Sequence, residues 1–352
     1  MLDFSAAQIK ACTVALVGNS SRYEGFTLPD QTFPVLNELV EEYTTVSMLK
    51  PFAKVEEYFY LYPGEEQETS PVFDIVFNIF DQYDSPGNLS YNAGKLTALL
   101  YEACTYPKIQ GGDFFVTLFD DLLLEGEPTQ AIGLWKVQSK NPYLATDRKD
   151  GKFSINVLQG IPTGNVEVGA LIFNMDSNNG YRVFAIDKVS KKSERSFWKD
   201  DFLRLRPIED DFFYTRHTMG LASEFINTKA PFKFGLNRPE TINLLNRAGN
   251  YFKENEEFEL EDFTKWTFEN TDQGQEFLAF YDEYTKAYAL NLDKFFQING
   301  QASKAQAKLF KNTINLDGNF LVQVKSRPDL IEIVTENNGE RYYKIKFTSD
   351  NQ

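Results

Sequence analysis

The segment Tyr106–Gln138, YPKIQGGDFFVTLFDDLLLEGEPTQAIGLWKVQ, limits the fold more than any other part of this chain. Gly111-Gly112 opens an apolar run through Phe114, Phe115, Val116, Leu118 and Phe119. A second run, Ala131-Ile-Gly-Leu-Trp135, follows the polar tip Glu125–Gln130. Two runs of aromatic and branched residues around a Gly/Pro turn predict a long β-hairpin. Neither run alternates apolar with polar residues, as a strand with one wet face would. Both faces of the hairpin must therefore be covered, so the chain needs layers on either side of it. These side chains read as scaffold rather than chemistry.

The rest of the chain supplies such layers. Residues 8–18 alternate through Ile9, Ala11, Thr13, Ala15 and Val17 and predict a first strand, ended by the turn at 18–21. Segment 33–48 carries Val35, Leu36, Leu39, Val40 and Tyr43 at helical spacing, with Glu38, Glu41 and Glu42 on the solvated side. Val72–Tyr83 predicts a second helix, and Ser90 caps a third whose face is Ala93, Leu96, Leu99, Leu100 and Ala103. Beyond the hairpin, Phe153, Ile155 and Val157 alternate, Val166–Phe173 is apolar, and a Ser177–Gly180 turn joins it to Tyr181–Ile186. With the central hairpin this makes about five strands joined mostly by short turns, hence an antiparallel sheet.

From Asp210 the pattern is helical, over 210–227, 238–254, 260–270, 274–290 and 301–311. Asp317-Gly318 and Asn337-Asn-Gly339 then mark turns between closing strands. The expected class is α+β: N-terminal helices with a mostly antiparallel sheet over 1–206, then a helical region over 207–352 closed by a C-terminal β-hairpin.

With 42% hydrophobic and 15% aromatic residues, a chain of 352 residues can bury a sizeable core. No stretch approaches the roughly 18 uninterrupted apolar residues of a membrane-spanning helix. The first residues, MLDFSAAQIK, lack the basic start of a signal peptide. Cys12 and Cys104 are isolated in apolar surroundings and read as buried free thiols in a reducing cytoplasm.

Catalytic chemistry is poorly supplied, and no enzyme, cofactor or metal is expected. The single histidine, His217, lies on a predicted helix, and no nucleophile elbow, P-loop or dinucleotide fingerprint occurs. Two distant cysteines and one histidine cannot build an ordinary zinc site. A metal-dependent nuclease would have to use carboxylates such as Asp120 and Asp121, with Asp147–Lys152 behind them. That second cluster is ordinary turn chemistry.

The net charge of −15 repels phosphate as a whole, but it is unevenly placed. Residues 1–140 hold 8 Lys/Arg against 20 Asp/Glu, a net of −12, whereas residues 141–352 hold 28 against 31. Three basic groups stand out in the second part. Segment 182–206 has 8 Lys/Arg against 4 acids and contains Lys191, Lys192 and Arg195 beside Phe197 and Trp198. Segment 294–316 contains no acid, and its Lys304, Lys308 and Lys311 fall on one face of a helix. In the closing strands, Lys325 and Arg327, and likewise Lys344 and Lys346, alternate with apolar positions and so share the solvent face of a hairpin. Brought together, such groups make a phosphate-binding footprint without base readout.

The order of Lys50-Pro-Phe52, Glu57-Tyr58, Leu100-Tyr-Glu102, Tyr106-Pro107, Gly111-Gly-Asp113 and Ala131–Lys136 resembles the bacterial nucleoid-associated protein family of the NdpA type. So does the ending, Asn315–Phe320, Asp329–Glu332 and Tyr342–Lys344. The chain departs from that pattern at Ala15 and Gln138, where relatives carry a histidine and an acid. The resemblance implies a cytoplasmic protein of the nucleoid that binds double-stranded DNA, with type II topoisomerases among the family's partners. It implies no catalytic residues. The expected function is therefore an architectural or accessory DNA-binding protein that contacts the phosphate backbone. The alternative is an acidic interaction module that acts on a topoisomerase or other DNA-processing partner without touching DNA. Whether two copies associate as a homodimer is left open by the sequence.

Overall fold

The computed structural model describes residues 2–29, 37–55, 57–62, 69–85, 87–149, 152–164, 166–190, 195–288, 290–310, 313–324 and 327–347. The chain divides into two compact units, Met1–Ile208 and Glu209–Gln352. The fold is α+β, and every strand pairing described is antiparallel.

The first unit runs β1 (Leu2–Asp3), β2 (Gln8–Val17), β3 (Phe26–Thr27), α1 (Glu38–Leu49), β4 (Phe59–Leu61), α2 (Phe73–Asp81) and α3 (Asn88–Ala103). It continues through β5 (Gly112–Leu124), β6 (Glu127–Val137), β7 (Asn141–Lys149), β8 (Lys152–Gly160), β9 (Val168–Phe173), β10 (Arg182–Asp187) and β11 (Leu205–Pro207). Among the described residues, nine of these strands form one sheet in the order β11-β4-β10-β9-β6-β5-β2-β3, with β1 added on β5.

The predicted central hairpin is β5–β6, with Phe114 opposite Lys136 and Leu118 opposite Ile132. Its two faces serve two cores, as the continuous apolar runs require. Phe114, Val116, Leu118, Ile132 and Leu134 pack with Ile79, Leu96 and Leu100 of α2 and α3. On the other face Phe119, Leu122 and Trp135 meet Met48, Leu49 and Phe52. Each such fully buried side chain contributes about 1.5–3 kcal/mol from desolvation.

Gly112 shows how tightly the hairpin is locked between its neighbours. A Cβ there would lie 2.0 Å from the backbone oxygen of Val137. That carbonyl belongs to the β5–β6 ladder, while Gly112 itself pairs with Val17 of β2. Neither strand can yield without breaking hydrogen bonds. Gly112→Ala is expected to cost about 3 kcal/mol, at the upper end of ordinary overpacking. Urea unfolding should show it as a lowered midpoint at unchanged slope.

Three local expectations need correction. Ser90 does not cap α3: the cap is Gly87, at φ 80°, and the Ser90 hydroxyl donates to the Gly87 carbonyl at 3.2 Å inside the first turn. The strand carrying Phe153, Ile155 and Val157 does not join the central sheet. It is β8, which among the described residues pairs with β7 alone, in a separate two-stranded hairpin. On α1, Thr45, Met48 and Leu49 are buried, while Leu39, Val40 and Tyr43 remain exposed. The helical spacing is real, but among the described residues nothing buries the apolar stripe it creates.

The second unit runs α4 (Asp211–Glu224), α5 (Ala230–Phe234), α6 (Arg238–Glu254), β12 (Glu257–Glu259), α7 (Leu260–Thr267), α8 (Thr271–Ala287), β13 (Phe295–Gln297) and α9 (Gly300–Gln306). The hairpins β14 (Thr313–Leu316) with β15 (Phe320–Gln323), and β16 (Ile331–Thr335) with β17 (Arg341–Ile345), close it. A π-helical turn, Phe225–Lys229, bridges α4 and α5. Asp210 caps α4 by accepting from the Phe213 amide at 2.9 Å. Asn237 and Glu240 form a reciprocal capping box on α6. The core is aromatic: Phe225, Phe252, Phe258, Phe263, Phe277 and Tyr281 pack together. Both closing hairpins reach Ile242 of α6, through Ile314, Val324 and Ile331.

Candidate nucleic-acid interface

The acid-free segment is threaded along α6. Asn299 caps α9 by accepting from the Gln301 and Ala302 amides, each at 3.0 Å. Ala302 is buried, and the Ser303 hydroxyl donates to the Phe252 carbonyl at 3.2 Å. Phe310 lies against Gly249, where an added Cβ would already stand 3.4 Å from its ring. Finally the Arg238 guanidinium donates twice to the Thr313 carbonyl, at 3.1 and 3.0 Å. The segment thus runs from the C-terminal end of α6 to its N-terminal end, about 21 Å at 1.5 Å per residue.

With one side of the segment so occupied, Gln301, Lys304, Ala305 and Lys308 face solvent. Among the described residues neither Lys304 nor Lys308 has a carboxylate within ion-pair distance. The geometry differs from the expected single helix face: α9 ends at Gln306, and Lys308 sits in the tighter 3-10 turn Ala307–Leu309. Lys311 lies outside the described residues. Lys253, exposed in the last turn of α6, follows the Phe252 anchor directly and was not indicated by the sequence pattern.

The cations of the closing strands are held differently. Arg327 stands outside any strand at φ 56°, and its guanidinium grips Asp329, Nε to Oδ1 at 2.9 Å and Nη2 to Oδ2 at 2.7 Å. This pairing holds the Asp329 carboxyl below its ordinary range and the guanidinium above its own. Lys346 follows β17 and bonds Glu332, whose pKa it lowers. Lys344 is directly opposite that same Glu332 in the β16–β17 ladder. Lys325 lies outside the described residues. Arg327 and Lys344 therefore do not share one hairpin: β15 ends at Gln323, and Lys344 belongs to the next hairpin.

In the first unit, Arg195 precedes the π-helical turn Phe197–Phe202, which Ser196 caps by accepting from the Lys199 amide at 2.9 Å. Its Nε donates to Asp201 at 2.6 Å, and the Tyr106 hydroxyl donates to the same carboxylate at 3.2 Å. The hydrogen bond to Asp201 raises the arginine pKa. Arg195 opens onto a cleft of about 870 Å³ that also contains Arg204 and Arg206. Glu102, Asp200 and Asp201 line the same cleft, so its formal charges balance. Lys191 and Lys192 lie outside the described residues.

The carboxylates weighed for metal chemistry do not converge. A bulge between Phe119 and Leu122 puts Asp121 at φ 57°. It leaves Asp120 accepting from Tyr83 at 3.1 Å and Gln130 at 2.9 Å. Asp147 is on the separate β7–β8 hairpin. Among the described residues no group of three or more His, Cys, Asp or Glu side chains is placed to hold a metal ion.

One buried cation was missed by composition. Lys136 is fully buried on β6, its ammonium donating to the Gln110 carbonyl, and burial lowers its pKa. The neighbouring Gln110 amide donates to Gln138 Oε1 at 2.7 Å, and Asn19 Nδ2 donates to the carbonyls of Tyr106 and Ile109 at 2.8 and 3.0 Å. This network ties the loop before Gly111-Gly112 to the sheet, which gives the Tyr106-Pro107 and Trp135-Lys136 motifs a structural reason. Cys12 and Cys104 are both buried free thiols, and burial pushes the Cys104 thiol up to about 11.

Among the described residues no helix is long and apolar enough to cross a membrane. No curated protein and no solved structure matches the chain. The family described as nucleoid-associated protein YejK does match, over residues 28–344, nearly the whole length. The chain therefore belongs to that family of nucleoid-associated proteins, and its place is the nucleoid of the cytoplasm.

Proposed function

We propose that this nucleoid-associated protein binds double-stranded DNA through backbone phosphates, with the acid-free edge of its second unit as the principal contact. One observation carries the reading: Lys304 and Lys308 are exposed, free of carboxylate partners among the described residues, and set on a segment without a single acid in an otherwise anionic chain. An ammonium already paired to a carboxylate gains little from a phosphate, because one anion merely replaces another. An unpaired one releases a condensed counterion from DNA for each contact. Lys311, Lys325 and Lys344 extend the contact. Lys191, Lys192, Arg195, Arg327 and Lys346 act in a lesser role, since those among them that are described must exchange Asp201, Asp329 or Glu332 for phosphate. Binding of this kind needs no catalytic group and reads no base edges.

The test is binding of the full chain to a short labelled duplex over a salt series. Five phosphate contacts predict that log K falls linearly with log salt at a slope of roughly −4.5. Retention on DNA that does not change with salt, or no binding at low salt, would overturn the reading.

The charge of residues 1–140 favours a second role for the first unit, as an acidic surface for a protein partner such as a type II topoisomerase. Co-purification of such an enzyme that survives nuclease digestion supports it, and loss on digestion counts against it.

A further inference from the structure

The β7–β8 hairpin stands apart from every other sheet, and its register sorts it into two unlike faces. Leu144 opposite Val157, Thr146 opposite Ile155, and Arg148 opposite Phe153 make one face. There Leu144, Phe153, Ile155 and Val157 are between 64% and 76% exposed. The other face carries Ala145, Asp147, Ser154 and Asn156, with Tyr143 and Leu158 near the root. An isolated two-stranded hairpin is marginal in water, and one that leaves its apolar face bare needs a cover.

A second bare apolar surface lies on the same unit. Leu39, Tyr43 and Val46 form a stripe on α1, flanked by Val40, and all four are between 43% and 63% exposed. The stripe leads at Tyr43 into an apolar groove of about 210 Å³ lined by Met48, Phe115, Trp135, Ile161 and Val166. The charges are complementary as well. Arg148 and Lys152 sit toward the tip of the hairpin, whereas α1 offers Glu38 and Glu42, both exposed, and no cation.

We propose that the occupant is a second copy of this chain, and that the β7–β8 arm of each copy lies across the α1 stripe and groove of the other. One chain carries both the donor arm and the acceptor face, so a two-fold exchange makes the same contact twice and closes at two. At about 1.5–3 kcal/mol for a fully buried Val, Leu, Ile or Phe and about 25 cal/mol per Å², each such side chain offers about 60–120 Å², so the four on an arm bring roughly 300 Å² of apolar surface. Two arms and two matching acceptor faces then bury on the order of 1,200 Å² of apolar surface, at the lower end of the range for specific stable interfaces.

The test uses the full chain in sedimentation or light scattering at micromolar concentration. Wild type is expected at twice the 40.5 kDa chain mass. Ile155→Asp, on the arm, and Leu39→Asp, on the acceptor, are each expected to run as monomers with unchanged circular dichroism, because both positions are exposed in the single chain. Mixed together, the two variants are expected to form a heterodimer, since the sound arm of the Leu39→Asp chain meets the sound acceptor of the Ile155→Asp chain. A monomeric wild type overturns the proposal. A Leu39→Asp chain that stays dimeric does so too, because arms would then pair with arms. Neither result bears on DNA binding, which rests on the second unit.

Discussion

Replacing both Lys304 and Lys308 by glutamate is expected to weaken duplex binding by at least about 60-fold at 0.1 M salt. The figure follows from counterion release: each phosphate contact contributes about 0.9 to the slope of log K against log salt, so two lost contacts remove about 1.8 decades at that concentration. Reversed charge adds repulsion beyond the loss. Both side chains are exposed and neither takes part in the hydrogen bonds that fasten the segment to α6, so the fold should be indifferent to the change. Arg327→Gln gives the contrast. Its guanidinium is already satisfied by Asp329, so its removal should scarcely alter affinity. Fluorescence anisotropy on one duplex measures all three proteins.

Trp135→Ala is expected to destabilise the first unit by about 4 kcal/mol, within the 3–5 kcal/mol range for an aromatic deleted from a core. Trp135 is buried on β6 with its ring edge-on to Phe119 at 5.7 Å and to Phe52 at 6.4 Å. The backbone is shaped around it. A Cβ on Gly133 would fall 1.7 Å from the indole six-membered ring, and one on Gly169, opposite Trp135 in β9, would fall 2.9 Å from its Cδ1. With two glycines and two rings built to this outline, the cavity left by alanine cannot collapse. Trp135→Phe should cost far less, because the indole N–H has no acceptor among the described residues. Its loss leaves no partner stranded. Differential scanning calorimetry separates the two outcomes.

These two predictions also mark what the sequence makes legible. The central hairpin is readable because continuous apolar runs admit only a strand covered on both sides, and a packed apolar core on each face of β5–β6 is the outcome. The α+β order and most helices follow from periodicity in the same way. The role of Gly133 is not readable, since nothing local says that the tryptophan two residues on folds back over it. Periodicity also names an apolar face without naming what covers it. Leu39, Val40 and Tyr43 on α1, and Phe153, Ile155 and Val157 on β8, carry the spacing of core residues and stay exposed. For the basic groups, charge can be counted along the chain, but pairing cannot. Arg327 and Asp329 are two residues apart and chelate, whereas Lys346 finds Glu332 only once β16 and β17 pair. The helix end at Gln306, which breaks the expected lysine face, comes where no proline or glycine announces it.

In the proposed mode of binding, unpaired lysines on the acid-free edge of the second unit hold DNA by its phosphates. The salt dependence of duplex binding, compared between wild type and the Lys304→Glu, Lys308→Glu double variant, tests it most directly. Phosphate binding through these two side chains makes the slope shallower by about 2 in the variant, about one unit for each lost contact. Equal slopes for the two proteins would mean that DNA, if bound, is held elsewhere, and would contradict it.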